Sequence, residues 1–215
     1  MKKASRKSTK YISSSQRLEY PDDEARYPWL STLLDTYHVI DSGISIELKQ
    51  EELKRKAKVA CHRGCSNCCL NPTIPVTGPE IWGISWFASE KLEGSVREVV
   101  SKQILHQTET TQCPFLVNKL CSIYPVRPTA CRIIFMFGVP CKPYEDIAET
   151  RMSDILHHNS DLGMRAAMTL LPLFGIKGKR DKEKAFKEGY MRSVAVRMHK
   201  ISWMPLYHQM KKFDE

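Results

Sequence analysis

Cys61-His-Arg-Gly-Cys65-Ser-Asn-Cys68-Cys69 places four thiols within nine residues, and Cys113, Cys121, Cys131 and Cys141 follow after a gap of 43 residues. Cysteines serving only as small buried hydrophobes would not fall as four plus four, so the clustering points to sulfur chemistry: disulfides or metal ligation. Compartment separates the two, because disulfides persist in oxidising spaces and thiols elsewhere stay free to bind metal. Lys2, Lys3, Arg6, Lys7 and Lys10 lie among serines with no apolar core of a secretory signal. No run approaches the ~18 apolar residues of a spanning helix. The expectation is a cytoplasmic, metal-binding chain with no membrane partner.

Outward from this cluster the dominant period is helical. Leu30, Leu33, Leu34, Tyr37, Ile44 and Leu48 form an i, i+3, i+4 stripe, and residues 51–60 carry strong helix formers up to Cys61, with Gly43 as a break. Asp41 reads as an N-cap after an interruption at Ile40, with a buried acid awaiting a partner as the alternative. Asn71-Pro-Thr-Ile-Pro requires an extended connection, and Thr77-Gly-Pro-Glu80 reads as a capping box opening a helix over 79–92. A second helix is expected over 95–106, with Val96, Val99, Val100 and Ile104 inward.

Pro114, Pro125, Pro128, Pro140 and Gly138 exclude any long helix or central strand from the second cysteine region, leaving 133–139 as a short buried strand-like run. Helical signals resume with Pro143 at N1, then Ala148, Met152, Ile155 and Leu156 on one face. Residues 162–173 read as a buried helix, with Met164 and Met168 as core packing, and Phe186, Tyr190, Val194 and Met198 mark a last amphipathic helix. His157 and His158 fall near a helix C-terminus, where a cation suits the dipole. The fold class is mainly α: a small helical domain with irregular cysteine-rich metal-binding loops.

The 215 residues, 42% hydrophobic, suffice for a real core. The net charge of +9 is concentrated at the ends. Residues 1–20 hold six basic and one acidic side chain, and residues 176–215 eleven and five, leaving the middle near neutral. The expected organisation is a disordered basic tail (1–20), a cysteine-cluster domain (21–175) and a basic helical extension (176–215). The basic ends suit an acidic partner, with nucleic acid the lesser reading.

The spacing C-x3-C-x2-C brings Cys61, Cys65 and Cys68 within reach of one centre if the backbone turns at Gly64, while Cys69, adjacent to Cys68, points elsewhere. The later spacing, C-x7-C-x9-C-x9-C, is too wide for zinc-ribbon knuckles, so its ligands converge from several loops. Four thiolates outweigh the charge of one zinc ion, and Arg63, Arg127 and Arg132 lie close enough in sequence to offset the remainder. His62 is a weaker candidate ligand among better ones.

The first cluster, followed by Cys113-Pro-Phe-Leu and by Cys121-Ser-Ile-Tyr-Pro-Val-Arg127-Pro128-Thr-Ala-Cys131-Arg132, resembles the cysteine-cluster family described as a putative zinc- or iron-chelating domain. The resemblance covers about residues 55–135 and implies zinc or iron-sulfur binding through these cysteines. One branch of the family resembles flagellin N-methylase, which implies a 4Fe-4S cluster and methyl transfer to lysine from S-adenosylmethionine, in chains longer than this one. Both zinc and a 4Fe-4S cluster accept all-cysteine ligation. The ligand candidates are therefore Cys61, Cys65, Cys68, Cys69, Cys113, Cys121, Cys131 and Cys141, with Arg127 and Arg132 as carboxylate or phosphate anchors. No nucleotide-binding glycine motif occurs, and no catalytic residue is identifiable. The functional expectation is a metal-binding protein with a redox or cluster-assisted role. The alternatives are a cluster-dependent lysine methyltransferase and a structural zinc module that binds nucleic acid.

Overall fold

The computed structural model describes residues 16–70, 72–107 and 112–214. The tail expected over 1–20 lies largely outside these, as does Asn71. Within them, Arg17 ties residues 16–20 to the first helices, donating to Glu24 at 2.7 Å and Asp35 at 2.5 Å.

A short helix α1 (Pro21–Arg26) leads into α2 (Pro28–Arg55), which has Pro28 in its first turn and at ~1.5 Å per residue is ~42 Å long. Its buried positions Leu30, Leu33, Leu34, Tyr37, Ile40, Ile44 and Leu48 repeat at helical spacing along the whole length. The first half of this stripe joins one hydrophobic cluster and the second half another, so α2 is the spine of both cores.

The expected break at Gly43 and the N-cap at Asp41 are corrected here, because α2 runs through both positions. Gly43 is a packing device: a Cβ there would lie 2.3 Å from Leu162 Cδ1 of α7, so its absence lets the two helices approach. The helix also stops earlier than residue 60. Lys56 adopts φ 50° as a left-handed cap, and residues 58–60 then run beside 136–138, with Ala60 N–H donating to Met136 O (2.7 Å) and Gly138 N–H to Lys58 O (2.9 Å).

Helix α3 (Gly78–Glu90) opens with the expected capping box, the Glu80 carboxylate accepting from both Thr77 N–H (2.8 Å) and Thr77 Oγ (2.7 Å). Helix α4 (Gly94–Leu105) buries Val100 and Ile104, whereas Val96 and Val99 are exposed. Two small antiparallel pairs follow the cysteines: β1 (Pro75–Val76) with β4 (Val196–Arg197), and the hairpin β2 (Leu116–Val117) with β3 (Leu120–Cys121). The hairpin turns at Asn118 and Lys119, both at positive φ, which matches the twist of adjacent strands.

After α5 (Thr129–Ile133), residues 133–139 form no strand. Phe135, Met136 and Phe137 are buried, the two phenylalanines in the second core, but pair with other segments only as isolated bridges, Val59 with Phe137 and Met136 with Ile155, while Gly138 and Val139 are exposed. Pro143 does not begin a helix: α6 (Ile147–Thr150) is capped by Asp146, and of the expected face only Leu156 is fully buried. His158 caps no helix either. Its ring bridges Glu47 Oε2 (3.0 Å) and Ile133 O (2.7 Å).

Helix α7 (Ser160–Leu170) buries Leu162 and Ala166 against the second half of α2 and Ala167 in a separate cluster with Leu171 and Ala185, while Gly163 and Arg165 stay exposed, so it is not apolar all round. The expected last helix is split into α8 (Lys179–Lys187) and α9 (Tyr190–Ser193) by Gly189 at φ 72°. A further helix, α10 (Met204–Asp214), went unforeseen; it contributes Leu206 and Met210 to the core beside Trp203, whose indole meets Phe115 edge-on at 5.0 Å. No helix is long and apolar enough to cross a membrane among the described residues.

Replacing Gly43 by Val forces side-chain volume into the α2–α7 contact. Overpacking of this kind costs about 1–3 kcal/mol. The expected outcome is a lower urea midpoint with an unchanged slope in equilibrium unfolding, whereas replacing the exposed loop residue Val139 by Thr leaves the midpoint in place.

Candidate metal centre

The eight cysteines come from five separate segments, and backbone hydrogen bonds draw these together. Gly64 at φ 83° turns the first loop back so that Cys65 N–H reaches His62 O (2.9 Å). A 3-10 turn over Asn67–Cys69 follows, with Cys69 N–H on Ser66 O. Cys113 N–H donates to Cys69 O at 2.8 Å, docking the later cysteines against the earlier ones. Cys121 lies on β3 opposite Leu116, Cys131 lies on α5, and the Asn67 side-chain amide donates to Cys141 O.

The spatial grouping differs from the sequence grouping. Cys61, Cys65 and Cys141 act on one another electrostatically, as do Cys113, Cys121 and Cys131, with Cys69 acting on Cys113 and Cys121. Cys141 has left the later sequence cluster, and Cys69 joins the two, its thiol on Cys68 and its carbonyl on Cys113 N–H. Cys68, exposed at the surface, interacts with members of both sets. The second set is the more enclosed: Cys113 is buried, and Cys69 and Cys121 pack against the larger core.

All eight are free thiols in this structure. Among the described residues no three His, Cys, Asp or Glu side chains converge closely enough to hold a metal ion as they stand. The donor set still fits a thiophilic metal on chemical grounds. Cys61 Sγ accepts Met136 N–H at 3.3 Å, and nearby backbone N–H groups lower the cost of charge on Cys65, Cys68, Cys113 and Cys121. Such donors favour the thiolate, the form a metal takes.

Two thiol pairs share protons. The Cys61 thiol donates to Cys65, which lowers Cys65 to about 6 and pushes Cys61 up, and Cys69 donates to Cys68 with the same pair of directions. Burial pushes Cys113 up to about 12 and Cys121 to about 11, and holds Cys131 well above the ordinary thiol value.

The two arginines stand in different environments. Arg127 lies with its guanidinium 3.8 Å over the Tyr124 ring and lowers the cost of charge on Cys121 and Cys131. Arg132 is 1% exposed. It donates to Asp41 Oδ2 (2.5 Å), Arg127 O (2.9 Å) and Pro125 O, and stacks 3.8 Å over Tyr37. Its donors are thus engaged in pinning the 124–128 turn to α2. Glu80 adds a second pin, its free carboxylate oxygen accepting Thr129 N–H at 2.6 Å at the start of α5. Neither Asp41 nor Glu80 was legible as part of the site. His62 is exposed, its Nδ1 3.0 Å from Arg63 O.

Residues 60–155 match the CxxCxxCC family. That family is described as a putative zinc- or iron-chelating domain. All eight cysteines and both arginines fall inside the CxxCxxCC segment, which supports zinc or iron chelation as the chemistry of the thiol centre. No curated protein and no solved structure is found to match the chain.

Replacing Asp41 by Ala leaves the Arg132 guanidinium buried without its carboxylate, a loss of about 3 kcal/mol or more seen as a lower thermal midpoint. Metal uptake carries its own pH dependence. The raised thiols of Cys113 and Cys121 hold their protons at neutral pH and must release them to ligate. Apparent affinity therefore rises with pH throughout the range below about 11, with protons released per metal bound in a pH-stat titration.

Proposed function

We propose that the chain holds metal in two adjoining thiol groups: an inner one of Cys69, Cys113, Cys121 and Cys131, and an outer one of Cys61, Cys65 and Cys141, with Cys68 between them. The inner group holds a 4Fe-4S cluster, and the protein's role is redox or cluster-assisted chemistry. The observation that carries this reading is the packing of Cys69, Cys113 and Cys121 against the larger core, with Cys131 near them on α5 and Arg127 lowering the cost of charge on Cys121 and Cys131. Hydrogen bonds to sulfur, net charge and solvent exclusion are the levers by which a protein sets the potential of such a cluster. When bound, the cluster would supply one-electron transfer. The chain's own residues exclude water on the core side, offset thiolate charge through Arg127, and fix the loop bearing Cys131 through Arg132 and Asp41. The outer thiols stand nearer solvent, where Cys65 is already close to its thiolate form at neutral pH.

Anaerobic purification followed by iron, sulfide and zinc analysis tests the reading. The expected result is a brown protein with about four irons and four sulfides per chain. Cys131→Ser is expected to lose the colour, and Cys65→Ser to keep most of it. Colourless protein with stoichiometric zinc would replace the redox role by a structural one, and protein without metal would overturn chelation altogether.

A further inference from the structure

The loops that gather the cysteines reach solvent at Cys68, the exposed thiol, which interacts electrostatically with Cys65, Cys113, Cys121, Cys131 and Cys141. These loops contain no acid. Residues 61–76 and 113–144 lack Asp and Glu in a chain that has 24 of them, and carry Arg63, Lys119, Arg127, Arg132 and Lys142. Arg132 is buried on Asp41, whereas Arg63, Lys119, Arg127 and Lys142 form no ion pair among the described residues. The carboxylates that follow are engaged: Glu145 accepts from Arg151 and from Lys142 N–H, and Asp146 caps α6.

Large apolar side chains stand in water among these cations. Leu120 and Tyr124 flank Cys121, and Tyr144 follows Cys141 on the loop that the Asn67 amide holds to the first cluster. Lys119 and Tyr144 both adopt φ 62°, the left-handed conformation that glycine takes freely and larger residues take at a cost. The tight turn at 118–119 favours glycine at its second position, so stability alone does not call for lysine there. The two side chains are displayed against the local backbone preference, a departure that marks functional surfaces.

Charge balance accounts for Arg127, which eases charge on Cys121 and Cys131. Arg63, Lys119 and Lys142 are exposed, and water screens an exposed cation from buried thiols, so their field acts on what approaches from solvent. An acidic protein meets the cations with carboxylates and offers apolar surface to Leu120 and the tyrosines. A phosphate backbone supplies charge alone, and a second copy of this chain, at +9, brings the same sign.

We propose that the rim around Cys68, with Lys119, Leu120 and Tyr124 on one side and Lys142 and Tyr144 on the other, is the docking surface of an acidic electron-carrier protein. One electron passes from the reduced carrier to the centre, with no bond made or broken. The electron step rests on the reading of the inner group as a cluster; the docking surface does not.

Surface plasmon resonance of the full chain over an immobilised acidic 2Fe-2S ferredoxin of the plant type tests the surface. Binding is expected at about 20 mM salt and is expected to weaken about tenfold by about 200 mM. Lys119→Gly with Tyr144→Gly relieves the backbone at both positions while removing both side chains. This double variant is expected to keep a urea midpoint no lower than that of the wild type and to bind about tenfold more weakly, as is Lys142→Glu. Arg180→Glu with Lys184→Glu, on the basic helix α8, is expected to change binding less than about twofold. No binding at low salt, equal weakening by the α8 and rim variants, or tighter binding of a short DNA duplex than of ferredoxin each overturns the proposal.

Mixing reduced ferredoxin with the anaerobically purified protein in a stopped-flow spectrometer tests the electron step, which the rim variants are expected to slow about tenfold. Rim-dependent binding by a protein that holds zinc overturns the electron step and the redox reading, and leaves the docking surface standing. A protein that holds the cluster but shows no rim-dependent binding overturns the docking surface, and leaves the redox reading standing.

Discussion

The buried pair of Arg132 and Asp41 is the contact on which the arrangement of this molecule depends. A guanidinium with 1% exposure is costly unless each donor direction is met, and here a carboxylate, two backbone carbonyls and an aromatic face meet it. The partners belong to different parts of the chain: Asp41 and Tyr37 to the long helix, the carbonyls to the turn before Cys131. One side chain thus converts the rigidity of a 28-residue helix into the position of a loop that has little regular structure of its own. Glu80 repeats the device from α3, one carboxylate oxygen closing its own helix and the other opening the helix that bears Cys131.

The helical class and the capping box at Thr77 were legible because both depend on local signals: apolar spacing, and an acid three residues from a hydroxyl. What escaped was set by tertiary partners. Gly43 resembles a helix break until Leu162 is seen against it, and Asp41 resembles a cap until Arg132 is seen beside it. Residues 133–139 have the composition of a strand but lack a neighbour to pair with over more than single bridges. Helix α10 has a mixed pattern whose buried positions are decided by α3 and α4, so its period alone was weak. At the thiol centre, cysteine identity was evident from spacing, whereas the loss of Cys141 from its group and the bridging place of Cys69 are matters of chain path, invisible until Cys113 N–H is found on Cys69 O.

The thiols also show how a protein can store reactive groups near one another without wholesale repulsion. Within Cys61–Cys65 and within Cys68–Cys69 one thiol is pushed up as the other is lowered, which disfavours two charges in one pair, and burial pushes Cys113, Cys121 and Cys131 up toward the neutral form. Charge is therefore low until a cation arrives. Of the basic side chains around the cysteines, Arg127 then matters most directly as balance.

The pairing of β1 with β4 joins positions about 120 residues apart, so it has a temporal meaning as well as a geometric one. On a chain emerging from the ribosome, Cys61 through Cys141 are all exposed before residues 196–199 exist to close over residues 72–76. Contacts so distant in sequence form late, since the loop between them must first be closed at an entropic cost. The centre is therefore assembled in two acts, a gathering of thiols followed by a sealing, and the interval between them is when a metal has its widest path in.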